Sequence, residues 1–204
     1  MKINKKKFIY LISPNKISAH FYKNLNEVLL TGKVGFFQMR LKKYSLKQKF
    51  LIGEKIKLIC KKNNVKFLVN DDPLLAKKLN ADGCHLGQKD TSIMDARKII
   101  GNKIIGITCH NSIKLAKIAI KNKASYLAFG AFFSTKTKKA KYKATTQILD
   151  KAKKLTKTPL IAIGGINYNN YKKLLLNNAN FLAISGYIWN NKKYKPTKAI
   201  EKLK

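Results

Sequence analysis

Two aspartates stand where the sequence predicts the ends of consecutive buried strands. Asp71 comes shortly after the apolar run Phe67-Leu-Val69, and Asp90 ends the turn that follows Gly83-Cys-His-Leu86. In α/β folds, the residues just past the carboxyl ends of parallel strands form the active site. Two carboxylates at that edge suggest a bound cation. Mg²⁺ is the natural candidate because it takes oxygen ligands, often one or two carboxylates together with substrate phosphates.

A local structural role is the alternative for any one of these acids. The chain has nine acidic residues, and four of them lie in this stretch, namely Asp71, Asp72, Asp82 and Asp90. An Asx residue before a proline suits a helix N-cap, so the segment before Pro73 predicts a helix over residues 73–80. A cluster of carboxylates in so basic a chain favours a function, while helix caps and turns stay open as the other interpretation.

Cationic and amide side chains follow an earlier predicted strand. In Gln38-Met-Arg40-Leu-Lys42, the alternation of an extended chain places Gln38, Arg40 and Lys42 on one side. One amide and two cations on the same side suit a polyphosphate or a polar ring. A charged edge that protects a surface strand is the alternative.

Three later loops carry groups that bind anions. The loop that begins at Gly130 contains Ser134-Thr-Lys-Thr-Lys138, which offers hydroxyls, backbone N–H groups and ammonium groups. Gly164-Gly165 and Ile184-Ser185-Gly186 each follow an apolar strand, and barrels often bind phosphate at the loops after strands 7 and 8. Ordinary turn chemistry is the alternative there. The residues by themselves thus predict two anion sites and a cation site.

The elements that position these loops repeat as strand and helix. The predicted strands are 7–13, 34–39, 66–69, 83–86, 103–107, 125–129, 160–163 and 181–184. The predicted helices are 19–30, 45–62, 73–80, 92–100, 112–121, 145–155, 168–176 and 197–203. Eight such units in 204 residues predict an α/β chain that forms a compact single-domain (β/α)8 TIM barrel over residues 1–204. A doubly wound open sheet is the structural alternative.

The strong positive charge does not by itself indicate a nucleic-acid partner. The net charge is +35, yet Arg40 and Arg97 are the two arginines, whereas proteins that grip phosphate backbones or base edges favour the arginine fork. The lysines are spread along the whole chain. We therefore expect small-molecule substrates, no nucleic acid and no membrane, because the apolar runs are far shorter than the roughly 20 residues of a membrane span.

The cysteines and histidines predict no transition-metal site. Cys60, Cys84 and Cys109 are odd in number and unpaired by spacing, which favours a reducing compartment and a cytoplasmic protein. Two Cys-His pairs, at 84–85 and 109–110, end neighbouring strands. Adjacent residues of a strand face opposite ways, so at most one residue of each pair points inward.

These motifs resemble thiamine phosphate synthase in order and spacing over about residues 8–189. The most specific are His85-Leu-Gly-Gln-Lys-Asp90 and Thr135-Lys-Thr-Lys138. The resemblance implies a transferase that joins 4-amino-5-hydroxymethyl-2-methylpyrimidine diphosphate to thiazole phosphate and releases pyrophosphate. It implies Mg²⁺ on Asp71 and Asp90, and catalytic roles for Arg40, Lys42 and Lys138. The substrate-binding residues it implies are Gln38, Met39, Arg40, Leu41, Lys42, Asn70, Thr108, Thr135, Lys136, Thr137, Lys138, Gly165, Ile184 and Ser185.

The resemblance assigns these residues to two different substrates. Gln38, Arg40, Lys42, Asn70, Thr108 and Lys138 would hold the pyrimidine diphosphate, and Thr135, Thr137, Gly165, Ile184 and Ser185 would hold the thiazole phosphate.

Four positions differ from the usual family pattern. Thr108 stands where the family commonly has serine, Asp72 adds a charge beside the metal site, Ser134 replaces a common proline, and a later loop glycine is absent. Two other functions stay open: a related thiazole tautomerase, and a non-catalytic, basic nucleic-acid-binding protein that keeps the barrel.

Overall fold

Eight parallel strands close into a barrel in chain order in the computed structural model, which describes residues 7–135 and 142–204. The strands are β1 Ile9–Ile12, β2 Val34–Met39, β3 Lys66–Asn70, β4 Gly83–Leu86, β5 Ile104–His110, β6 Tyr126–Gly130, β7 Leu160–Ile163 and β8 Phe181–Ile184. The helices are α1 Phe21–Leu30, α2 Leu46–Lys62, α3 Pro73–Lys78, α4 Ile93–Ile100, α5 Ile113–Lys121, α6 Gln147–Leu155, α7 Tyr171–Leu176, α8 Gly186–Trp189 and α9 Pro196–Glu201. The barrel prediction is confirmed.

The pairing of the first strand with the last excludes the open-sheet alternative. Ile9 lies opposite Leu182 and Leu11 opposite Ile184, so β1 and β8 are neighbours. An open sheet would leave both of these edges unpaired. The short helix α8, which no predicted helix covers, begins directly after β8 and belongs to the same closing region.

Alternate residues of each strand face two separate cores. The inward set fills the barrel with large side chains, including Tyr10, Leu68 and Tyr126, and the outward set packs under the helices, as Leu11 and Val69 do. This period of two fixes which side chains reach the barrel axis. It also confirms that the Cys-His pair at the end of β4 splits, because Cys84 belongs to the helix-side core while His85 hydrogen-bonds across the barrel interior.

The acidic residue Asp82 and the arginine Arg97 stabilise the end of the barrel where the strands begin. Asp82 accepts a hydrogen bond from the backbone N–H of Phe67 at 2.9 Å and pairs with Lys66 at 2.9 Å. Arg97 donates to the carbonyl groups of Gly101 and Lys103 at 2.5 and 2.6 Å. Both residues therefore have structural roles at this end of the barrel. Neither contributes to the opposite end, where the strands finish. Within the described ranges, no helix has the length and apolar character needed to cross a membrane.

Candidate active site

The structure brings two of the four clustered aspartates together at the carboxyl end of the barrel. Asp71 directly follows β3, Asp90 lies in the loop after β4, and their side chains are in hydrogen-bonding contact. Asp71 has a left-handed backbone, with φ of 65°, and its N–H donates to the carbonyl of His85 at 2.8 Å. Asp90 accepts a hydrogen bond from the N–H of Gly87 at 2.7 Å. Backbone groups at the two strand ends thus hold the main chain of Asp71 and the carboxylate of Asp90.

A lysine brings positive charge to this carboxylate pair. Lys42 Nζ lies 2.9 Å from Asp71 Oδ2. Burial raises the pKa of Asp71, but hydrogen bonds with Lys42 and Asp90 outweigh this effect and hold the pKa below the usual aspartate value. Burial also raises the pKa of Asp90, and the nearby Asp71 carboxylate adds to this rise, while the Gly87 N–H opposes it. Two carboxylates this close repel each other, so the site favours a cation.

Asp72 has the local role that the sequence left open. It is the N-cap of α3, where its Oδ1 accepts from the N–H of Leu75 at 2.8 Å and Pro73 opens the helix. The predicted cap and proline are therefore confirmed. Because the side chain of Asp72 is used in this way, its charge next to Asp71 is explained by helix capping.

The end of β2 and the residues after it present alternate side chains to the barrel mouth. Gln38 Nε2 donates to Asn70 Oδ1, which links β2 to β3. Met39 and Leu41 are instead 2% and 3% exposed and pack in the helix-side core. The prediction that residues 38, 40 and 42 share a side agrees with this alternation. The expectation of substrate contact at Met39 and Leu41 is limited to their main chain, because the same alternation turns their side chains away.

Thr108 closes another side of the mouth and is tied to the barrel interior. Its Oγ1 lies 2.8 Å from His85 Nε2, and its carbonyl accepts from Gln88 Nε2 at 2.5 Å. Burial lowers the pKa of His85 to about 4; the nearby Asp71 carboxylate opposes this with a smaller effect, and Arg40 lowers the pKa further. This imidazole is therefore neutral at pH 7.

The loops after β6 and β7 lie against each other. The N–H of Phe133 donates to the carbonyl of Gly164 at 3.1 Å. Gly165 has φ of +63°, and a Cβ there would lie 2.3 Å from the carbonyl oxygen of Ser134. The neighbouring Thr135 is thereby held close to the Gly164-Gly165 turn. Lys136, Thr137 and Lys138 lie outside the described residues.

A serine at the end of β1 joins the two halves of the mouth. Ser13 is 2% exposed, and its Oγ accepts from the N–H of Arg40 at 2.9 Å. Its carbonyl accepts from Ser185 Oγ at 3.1 Å. Ile184 is 2% exposed in the helix-side core, so its side chain also faces away from the mouth and any contact with a ligand would come from its main chain.

Ser13 and His85 were not among the predicted site residues. Ser13 lies directly after β1, the same kind of position that identified Asp71, but the predicted strand 7–13 includes it. For His85, the sequence gives membership of the motif at residues 85–90 and an unfavoured transition-metal site, but no role at the mouth. In the described part of the chain no group of three or more His, Cys, Asp or Glu side chains is arranged to hold a metal, so the carboxylate pair would need ligands from elsewhere.

The geometry defines a (β/α)8 barrel whose strand ends combine paired carboxylates, cations and hydroxyls at one mouth. A family model described as thiamine monophosphate synthase matches residues 9–188, and a thiamine-phosphate synthase of Pelagibacter ubique is 67% identical over the whole of both chains. One from Erythrobacter litoralis is 40% identical over 89% of this chain and 87% of its own. The chain belongs to the thiamine monophosphate synthase family.

A solved structure agrees with this assignment. Thiamine phosphate pyrophosphorylase from Pyrococcus furiosus superposes with a TM-score of 0.86 at 28% identity, covering 98% of this chain and 94% of its own. The function is accordingly thiamine-phosphate synthesis, a transferase reaction of thiamine biosynthesis on small-molecule substrates.

Proposed function

We propose that thiamine phosphate forms at the barrel mouth by a Mg²⁺-assisted dissociative substitution. The observation that carries this proposal is the contact of Asp71 with both Asp90 and Lys42. A paired carboxylate beside a cation suits a diphosphate and its counter-ion, and a reaction without a diphosphate has no need of it. This observation favours the synthase over the thiazole tautomerase.

The main requirement of this reaction is the stabilisation of charge on the leaving group and on the carbocation. The bond between the pyrimidine methylene carbon and the diphosphate oxygen breaks, and its electron pair leaves with pyrophosphate. The lone pair of the thiazole nitrogen then forms the new C–N bond. Arg40 and Lys42 stabilise the negative charge that grows on the leaving group, with Lys138 assigned the same role by resemblance, while the electron-rich aminopyrimidine stabilises the carbocation.

The carboxylate pair fits Mg²⁺ by its donor set. Asp71 and Asp90 provide two oxygen ligands at adjoining strand ends, and Mg²⁺ commonly takes one or two carboxylates with waters and substrate phosphates as the remaining ligands. Bound there, Mg²⁺ would supply Lewis-acid stabilisation of the diphosphate. Lys42, which pairs with Asp71 at 2.9 Å, would lie beside the same diphosphate.

Around this centre we assign the substrates to opposite sides of the mouth. Gln38, Arg40, Lys42, Asn70 and Thr108 would hold the pyrimidine diphosphate. Thr135, Gly165, Ile184 and Ser185, with Thr137, would hold the thiazole phosphate. Gly164 and Gly165 both have positive φ, and a turn of this kind can aim backbone N–H groups at an anion, which supports a phosphate site there.

We also propose that the chain works in the cytoplasm and without a nucleic-acid partner. The three cysteines are buried and free, which suits a reducing compartment. Of the two arginines, Arg97 is used by backbone carbonyls and Arg40 lies at the site. Neither therefore forms part of a surface arginine cluster for a phosphate backbone.

The test is pyrophosphate release by the purified chain given both substrates, with and without Mg²⁺. We expect release that needs both substrates and the metal, with thiamine phosphate formed in equal amount. Equal rates after removal of the metal by a chelator would contradict the Mg²⁺ assignment. No release from folded protein under any condition would contradict the reaction itself.

A further inference from the structure

A line of hydrogen bonds leads from the active-site hydroxyl of Thr108 into the barrel. Thr108 Oγ1 lies 2.8 Å from His85 Nε2, and His85 Nδ1 lies 2.9 Å from the hydroxyl of Tyr126. That hydroxyl lies 2.8 Å from the hydroxyl of Tyr10. Four side chains on β5, β4, β6 and β1 thus form one chain of donors and acceptors across the barrel interior.

The inner end of this chain is closed. Tyr10 is 1% exposed and Tyr126 is 2% exposed. Among the described residues, the Tyr10 hydroxyl has Tyr126 as its one hydrogen-bond partner. The Tyr10 proton therefore has a single acceptor available, the oxygen of Tyr126.

This closed end selects the direction of every proton in the line. If Tyr10 donates to Tyr126, then Tyr126 donates to His85 Nδ1, and Nε2–H donates to Thr108. In the reverse direction Thr108 would donate to His85, and the Tyr10 proton would be buried without an acceptor. Leaving a buried donor unsatisfied disfavours that arrangement by roughly 5- to 150-fold.

We propose that His85 is a positioning residue, which donates from Nε2 to Thr108 Oγ1 and thereby leaves the Thr108 proton free to bind an acceptor on the pyrimidine diphosphate. Tyr126, whose hydroxyl contacts His85 Nδ1, sets its tautomer. The inference rests on the proposed function, in which Thr108 contacts that substrate. Both the phosphate oxygens and the ring nitrogens of the substrate accept hydrogen bonds, so a hydroxyl fixed as donor matches them.

The surrounding packing holds the line in place. The ring of Tyr126 stacks on His85 with centroids 5.7 Å apart and an interplanar angle of 13°. Gly106 provides the space for it, because a Cβ at that position would lie 1.8 Å from the Tyr126 ring and 2.2 Å from its hydroxyl. A buried imidazole is also favoured in its neutral form, as the low pKa of His85 indicates, and a neutral ring has one donor and one acceptor.

Tyr126→Phe and Tyr10→Phe form a matched pair of variants for the first test. Each removes one buried hydroxyl and keeps its ring. Without the Tyr126 hydroxyl, His85 Nδ1 loses its donor and the tautomer is no longer selected. Without the Tyr10 hydroxyl, Tyr126 still donates to Nδ1, so the selection stays. We expect kcat/KM for the pyrimidine diphosphate to fall about 3- to 10-fold in Tyr126→Phe and to stay near normal in Tyr10→Phe.

A double-mutant cycle with Thr108→Val separates positioning from a general loss of structure. Thr108→Val removes the hydroxyl and should lower kcat/KM about 10- to 100-fold. If Tyr126 acts through Thr108, adding Tyr126→Phe to Thr108→Val should cause no further loss. Full additivity of the two changes would overturn the inference, and full activity of Thr108→Val would instead overturn the substrate contact in the proposed function.

A spectroscopic readout tests the tautomer without any turnover. The chain has three histidines, and a His85→Asn variant identifies the ring nitrogens of His85 in ¹⁵N NMR. We expect the proton on Nε2 in the parent chain and in Tyr10→Phe, and a mixture of tautomers in Tyr126→Phe. A proton on Nδ1 alone in the parent chain would overturn the inference.

Discussion

Replacing Asp71 by asparagine tests whether its carboxylate binds a metal ion or only stabilises the fold. Asparagine keeps the size of the side chain and tolerates the left-handed backbone at φ of 65°. Asp72 offers a matched control, because Asp72→Asn removes the same charge from the adjacent position. Asparagine is as good an N-cap as aspartate, so the hydrogen bond from the N–H of Leu75 is kept.

The two effects of Asp71→Asn differ greatly in size. The ion pair that it breaks is partly open to solvent, with Lys42 55% and Asp71 29% exposed, and such pairs contribute about 0–1 kcal/mol. Loss of the repulsion with Asp90 offsets part of that. The melting temperature should therefore move by less than about 4 °C. Loss of a metal ligand should raise the barrier by about 3–4 kcal/mol, a fall in turnover of about 150- to 1,000-fold.

The assay is pyrophosphate release with both substrates over a series of Mg²⁺ concentrations. Asp71→Asn should stay slow at every concentration, while Asp72→Asn should remain within about threefold of the parent chain because its charge is screened by solvent. Near-normal turnover of Asp71→Asn would remove Asp71 from the metal site. An equal loss in both variants would show that net charge, and not ligation, is what matters.

Three further outcomes follow from single contacts. Gly165→Ala should unfold at least about 1 kcal/mol more easily and raise KM for thiazole phosphate, because its Cβ would meet the Ser134 carbonyl; an unchanged KM would contradict this. Ser13→Ala leaves the Arg40 N–H without its partner and should lower the free energy of unfolding by about 1–3 kcal/mol in denaturant titrations, whereas Ser13→Thr, which keeps the hydroxyl, should lose less. His85 takes its proton near pH 4 when folded and near 6.5 when unfolded. The free energy of unfolding should therefore fall by about 3 kcal/mol as pH drops from 6.5 to 4, and the His85→Asn chain should lack this part of the slope.

Strand ends were the part of the site that the sequence predicted well. Asp71 and Asp90 follow short apolar runs, and in a parallel barrel the ends of neighbouring strands meet. Their contact in the structure thus follows from two local patterns and one rule of topology. The same reasoning placed Gln38 at the barrel mouth, because period-two alternation fixes direction in a strand.

The resemblance predicted less accurately than strand alternation which side chains face the site. Met39 and Leu41 lie within the same segment as Gln38, yet their side chains belong to the outer core. A resemblance in sequence assigns contact to a stretch of chain without separating main chain from side chain. Ile184 shows the same limit, since its side chain also packs under the helices.

Roles that depend on distant residues could not be read from local patterns. Asp82 and Asp72 share the acidic cluster with the site, but one serves the opposite end of the barrel and the other caps a helix. Ser13 gains its role from Arg40 and Ser185, which are 27 and 172 positions away. Only closure of the barrel brings such partners together.

The seam, where β8 pairs with β1 and closes the barrel, has a consequence for the order in which a newly made chain becomes active. Ser185 and Trp189 donate to the carbonyls of Ser13 and Ile12 at 3.1 and 2.7 Å, so the last strand and the turn after it complete the side of the mouth that we propose for the thiazole phosphate. During synthesis from the amino terminus, the carboxylate pair is translated about a hundred residues before this seam. A nascent chain with seven strands would still expose the unpaired edge of β1 to other strands, and docking of β8 both protects that edge and finishes the site proposed for the thiazole phosphate.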